Sequence, residues 1–189
     1  MIQRSLLLGM LFLGSALASA QVAPSAYGGP PLLSVGGSYS FFDAAYAGNR
    51  VAGIGSYIDW DPAMKWHLGA QGEGRWLTYN GAHGFSEYNY LAGPLYRIPV
   101  RWRWHPYAKF LAGAGEINFP YHLAHGSYFA MAPGGGVEFE MKRRWRVRAD
   151  YEYQIWPDAP GIPGIQSSAL KPNGVSVGIS YSIFTGREM

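Results

Sequence analysis

Between Trp145 and Ile155 the chain alternates strictly. Trp145, Val147, Ala149, Tyr151, Tyr153 and Ile155 are apolar or aromatic, while Arg146, Arg148, Asp150, Glu152 and Gln154 are charged or polar. A helix would spread these charges around its circumference, whereas a strand, with its side-chain period of two, sorts them onto one face. Two environments fit such a strand. Either the polar row faces water outside, or it lines a closed interior while the aromatic row faces lipid.

Seven further segments repeat the pattern, at 33–41, 51–60, 66–79, 87–98, 107–117, 128–141 and 174–183. In the second, Ala52, Ile54, Ile58 and Trp60 oppose Gly53, Gly55, Tyr57 and Asp59. In the third, Trp66, Leu68, Ala70 and Trp76 oppose His67, Gln71, Glu73 and Arg75. Each segment approximates the ~9–11 residues that a tilted strand needs to cross a bilayer. The connections 61–65, 99–103 and 142–144 read as short turns, and 44–50, 80–86, 118–127 and 156–172 as longer loops rich in Gly, Asn and Pro. This predicts an all-β, eight-stranded, antiparallel up-and-down transmembrane β-barrel, with short turns in the periplasm and loops outside. Pro94 and Pro133 fall inside two segments. A closed barrel has no free edge to hide a missing N–H, so each predicts a bulge or local break.

The first residues agree with export. A basic start at Arg4, an apolar run over 6–17 and Ala18-Ser19-Ala20 read as a signal peptide over 1–20. A flexible lead over 21–31, a barrel domain over 32–184 and a tail over 185–189 would follow. The apolar run is shorter than the ~20 residues of a spanning helix, so insertion must be as a barrel. The chain contains no Cys, which excludes a disulfide framework, a lipoprotein anchor and thiol chemistry. Charged residues make up 14%, against about 25% in soluble domains, too few to coat a water-facing surface. A net charge of +3 says little about an anionic partner.

Volume decides which face looks inward. Eight strands enclose a space just wide enough for side chains. The apolar rows would overfill it, whereas the polar rows are dotted with glycines such as Gly36, Gly53, Gly115 and Gly136. The polar rows also carry both signs of charge, able to pair where a lone ion would be costly. The expected lumen cluster is Glu73, Arg75, Arg97, Lys109, Glu138, Glu140, Arg146, Arg148, Asp150 and Glu152, with Asp59 and Glu87 in the same rows. Trp60, Trp66, Trp102, Trp104 and Trp145 flank the short turns, and Trp76 and Trp156 lie near the loops. They read as two aromatic girdles at the membrane interfaces.

Several stretches carry a family likeness: Tyr90-Leu-Ala-Gly-Pro-Leu-Tyr96-Arg97, Pro106-Tyr-Ala-Lys109-Phe, Ala132-Pro-Gly-Gly-Gly-Val137-Glu138, Arg148-Ala-Asp150-Tyr-Glu152-Tyr and the closing Val175 to Phe184. In this ordered set the chain resembles the eight-stranded outer-membrane β-barrel domain family, the OmpA-like and opacity-antigen group. The resemblance implies an outer-membrane location and a lumen blocked by Arg/Lys–Glu pairs, whose partner switching can open a small conductance. Two departures stand out. Thr185–Met189 follow Phe184, where such barrels often end on an aromatic. No space follows the barrel for a peptidoglycan-binding domain, so cell-wall tethering is not carried over.

Other motifs offer weaker chemistry. His125-Gly-Ser127 resembles the His-x-Ser pair of lipid A deacylases, which are also eight-stranded barrels. A serine needs a base within reach, and positions i and i+2 of a strand share a face. Glu138 and Glu140 are in the opposite phase, however, so no orienting acid is evident. His122 and His125 lack a third ligand for a metal. Arg101-Trp-Arg-Trp-His105 and Lys142-Arg-Arg-Trp-Arg146 read as interfacial anchors rather than nucleic-acid patches. Gly134-Gly-Gly136 lacks the Lys-Ser/Thr of a phosphate loop.

The sequence thus predicts a non-enzymatic outer-membrane barrel without cofactor or metal. Its role would be structural or at the surface, including adhesion or a small gated conductance. Expected partners are lipopolysaccharide and phospholipid, the barrel-assembly machinery and an extracellular ligand at loop 156–172, with no nucleic acid. Two alternatives are a lipid A-modifying barrel enzyme using His125 and Ser127, and a soluble periplasmic ligand-binding barrel.

Overall fold

The computed structural model describes residues 32–43, 50–62, 67–78, 86–100, 103–118, 125–142, 144–157 and 170–184. Eight strands follow in order: β1 (Leu32–Asp43), β2 (Arg50–Asp61), β3 (Leu68–Thr78), β4 (Ser86–Arg97), β5 (Trp104–Asn118), β6 (His125–Lys142), β7 (Trp145–Tyr153) and β8 (Asn173–Phe184). Each pairs antiparallel with the next, and β8 pairs back onto β1, so the sheet closes into a barrel in chain order. No helix occurs among the described residues. All eight sequence segments form strands; the largest shifts are early starts, β5 at Trp104 and β6 at His125.

The connections differ less in length than the sequence suggests. The gaps 62–67 and 98–103 are as long as 44–49 and 119–124. Asymmetry comes from the extremes: β6 and β7 are joined through 143–144 alone, whereas 154–172 joins β7 to β8. His67 closes the 62–67 turn with a φ of 53° and accepts a 3.0 Å hydrogen bond from the Arg97 amide. Histidine is among the few residues enriched in that left-handed region.

Both prolines break a ladder on one side only. A residue in an antiparallel strand turns its N–H and C=O toward the same neighbour. Pro94 keeps register with Ala70 on β3, but pairing of β4 with β5 lapses between Ala92↔Ala112 and Leu95↔Lys109. Pro133 pairs with Phe110 on β5, while the β6–β7 ladder stops at Gly134↔Glu152. It resumes beyond the gap as an isolated Met131↔Ile155 bridge. The register is unchanged across both gaps, so these are breaks rather than bulges. The irregularities in register lie elsewhere, at Leu33/Ser34 and at Glu140/Lys142.

Parity then places every side chain. Outward residues are large and apolar: Ile54 is 60% exposed, Tyr90 58% and Val177 55%. A continuous surface of this kind is far larger than the apolar patch a soluble protein leaves in water. It suits lipid, and it overturns the soluble periplasmic alternative. Trp60, Trp76, Trp104 and Trp145 all point outward, as expected of girdles. Trp104 packs on Phe139 and Trp145 on Tyr181, each pair bridging neighbouring strands near the short turns. Trp66 and Trp102 lie outside the described residues.

The seam between β1 and β8 has its own character. Apart from Phe42 at the loop end, its inward positions are small: Ser34, Gly36, Ser38 and Ser40 on β1, and Gly174, Ser176, Gly178, Ser180 and Ser182 on β8. Glycine is required at Gly36, where a Cβ would collide with the ring of Tyr57. The outward Gly37 and Gly74 meet no such obstacle.

Candidate functional site

Among the described residues, ionisable side chains gather in the lumen. At mid-height, Lys109 on β5 reaches three carboxylates: Glu152 at 2.8 Å, and Glu73 and Asp150 at 3.1 Å each. Arg75 on β3 donates to Glu73 beside it and to Glu152 across the barrel at 3.0 Å. These five side chains are nearly or fully buried. Such distances are those of charge-assisted hydrogen bonds.

Nearer the short turns the pairing is looser. Arg97 faces Asp59 at 3.2 Å and Glu138 at 3.5 Å. Arg148 faces the same two carboxylates at 3.4 and 3.5 Å. Its guanidinium lies between two rings, Tyr57 at 4.3 Å and Tyr107 at 4.5 Å, so stacking holds it where ionic contacts are long. Arg146 approaches Glu138 at 3.7 Å, and Glu140 faces His105 at 3.7 Å at the open mouth.

Tyr107 joins the two tiers. Its hydroxyl accepts from Arg148 Nε at 2.9 Å and donates to Asp150 at 2.8 Å. A continuous chain therefore runs up the lumen, from Asp59 through Arg148, Tyr107, Asp150 and Lys109 to Glu152. It continues upward, because Gln154 Nε2 donates to Glu152 at 2.9 Å and Trp156 Nε1 donates to Gln154 at 2.8 Å.

Here one expectation fails. Trp156 is not an interfacial anchor. It is fully buried inside the barrel, in an apolar cluster with Leu91, Leu111, Ile117, Ala130 and Ala132. Position 156 continues the inward parity of Arg146 to Gln154, and parity overrides the interfacial preference of tryptophan. The indole fits because residue 115 is glycine: a Cβ there would overlap the ring. Phe42, Val51 and Leu77 are also buried at this end. The charged exception is Glu87, fully buried, which accepts from Asn89 at 2.8 Å.

All ten residues expected in the lumen cluster are on inward positions, with Glu140 and Arg146 at its mouth. Asp59, the two tyrosines around Arg148 and Gln154 join it; the sequence places all four in the same inward rows without counting them in the cluster.

The domain model for "Outer membrane protein beta-barrel domain" matches residues 6–182. The chain belongs to this family. Solved structures of similar fold are barrels of the outer membrane or bacterial surface. Neisserial surface protein A superposes with a TM-score of 0.58 at 10% identity, over 80% of this chain and 96% of that one. Ail, the attachment invasion locus protein of Yersinia pestis, solved with the heparin analogue sucrose octasulfate, gives 0.53 at 19% identity over 82% and 99%. The outer membrane protein OprG from Pseudomonas aeruginosa gives 0.50 at 10% identity over 84% and 98%. At these identities the likeness establishes the fold. No curated protein matches the chain.

The His-x-Ser lead changes in one respect. Neither Glu138 nor Glu140 lies beside it, but Glu116 faces outward on β5 in register with Ser127. Ser127 Oγ donates to Glu116 Oε1 at 3.3 Å. His125 stands in register with Asn118, and its side chain is outside the described part, as is His122. Most of loop 156–172 also lies outside the described residues.

Proposed function

We propose that this outer-membrane barrel is a closed, non-enzymatic surface protein whose lumen is filled rather than conducting. The observation that carries this is the unbroken chain of buried contacts from Asp59 to Trp156. Ionic pairs occupy the lower and middle lumen and an apolar cluster occupies the loop end, leaving the loops as the part that meets the outside. Breaking one buried pair strands its partner charges at a cost of ~3–5 kcal/mol, so partner switching of the kind that would open a conductance is opposed. A surface role is in keeping with two proteins of similar fold, a Neisserial surface protein and the attachment protein Ail. Planar-bilayer recording tests the closed state: purified wild-type protein should give no discrete conductance. Reproducible unitary steps would overturn it.

A second reading has one observation in its favour. Glu116 places a carboxylate beside Ser127 on the outer face, with His125 two residues from Ser127 on the same strand, and these three residue types are those of a hydrolytic site that would act on lipid A. Incubation with lipid A should release fatty acid if this reading holds. No release, or release unchanged in Ser127→Ala, disposes of it.

A further inference from the structure

The segment Gln154–Trp156 is fastened differently from the strand it extends. The β7 ladder to β6 ends at Glu152, because Pro133 offers no N–H at the next position. Beyond that gap the Gln154 N–H still donates to the Pro172 carbonyl at 2.7 Å on the β8 side, and the rest of the segment is held by two isolated bridges. Ile155 exchanges both backbone hydrogen bonds with Met131, at 2.7 and 2.9 Å, and Trp156 exchanges both with Leu170, at 2.9 and 3.2 Å. Short paired pieces outside a continuous ladder open at lower free energy than the ladder itself.

The side chains of the same segment do two jobs. The indole of Trp156 fills the loop-side lumen against Gly115. The amide of Gln154 links that indole to Glu152, which also holds Arg75 and Lys109. We propose that Gln154–Trp156 is a releasable latch: seated, Trp156 seals the loop-side mouth, and lifted away through its isolated bridges, it opens that mouth and withdraws a hydrogen-bond donor from the ionic cluster. This goes beyond the closed-barrel reading by naming the element that closes the outer end.

The chain has no native cysteine, so one introduced thiol reports cleanly. Ala132 is fully buried on an inward position in the Trp156 cluster, and an Ala132→Cys thiol there would lie under the seal. The barrel, refolded in vesicles, is treated from outside with a membrane-impermeant methanethiosulfonate carrying a trimethylammonium group. With Trp156 present the thiol should be protected. Adding Trp156→Ala should raise its rate of modification on the order of tenfold or more. Gly115→Ala, which expels the ring without removing it, should do the same.

Heat-modifiable gel mobility confirms that each variant has folded, and Gly115→Ala serves if Trp156→Ala does not fold. Rapid modification with Trp156 and Gly115 intact would overturn the closed-barrel reading itself. Protection that persists in both folded variants would overturn the latch and leave the closed barrel standing.

Discussion

The two halves of the lumen share one wall and one parity, yet they are filled in opposite ways. Toward the short turns, Arg97, Arg148, Lys109 and Arg75 interlock with Asp59, Glu138, Asp150, Glu73 and Glu152. Toward the loops, Trp156 packs on leucine, isoleucine and alanine. The ionic half behaves as a unit, because each ion faces more than one partner and removing any of them leaves a charge uncompensated. The apolar half is additive in character, since each side chain contributes its own burial and shape. A barrel just wide enough for its own side chains can therefore be closed either by mutual obligation or by volume, and this chain uses one at each end.

Lys109→Met should separate the halves most sharply. It leaves Glu73, Asp150 and Glu152 with Arg75 as the remaining cation among them. A loss of ~3–5 kcal/mol is expected in urea unfolding of the protein in vesicles. Adding Glu73→Gln should return part of that loss, and strictly additive costs would break the picture of a unit. Leu111→Ala, in the apolar half, should cost ~2–4 kcal/mol by the same assay, with no recovery from any charge substitution. Trp145→Leu, on the outer face, should cost only ~1 kcal/mol through its lost contact with Tyr181, showing how differently Trp145 and Trp156 are used. Smallest is Gly74→Ala. Its new methyl would face outward at ordinary contact distance from Tyr90, and a gain of ~0.5–1 kcal/mol in stability is expected. A loss there would show that the outer face at Gly74 is already occupied.

The ionic half was legible in the sequence and the apolar half largely was not. Charges at Arg146, Arg148, Asp150 and Glu152 stand out against their aromatic neighbours, so period two revealed both the strand and its inner face. Leu91 and Leu111 share the inward parity, but on an aliphatic-rich strand nothing in their chemistry marks them as interior. Trp156 was misplaced for the same reason, with residue type outweighing phase. Glu116 escaped notice as a neighbour of Ser127 because the two meet across strands, and register between β5 and β6 is fixed only by the folded ladder. Pro94 and Pro133 were readable as interruptions. Which neighbour would lose its bonds depended on strand pairing.

The serine and glycine lining of β1 and β8 bears on how the barrel comes together. Among the described residues, every inward charge sits on β2 through β7, and the two terminal strands meet across the longest separation of any strand pair. Joining them is the slow, entropically demanding event of the topology. With small side chains along most of that seam, Phe42 at its loop end excepted, the curled six-strand sheet can assemble its ion pairs beforehand. The last step then needs little more than backbone hydrogen bonds zipping along β1 and β8, with no buried charge seeking a partner while the seam is still open.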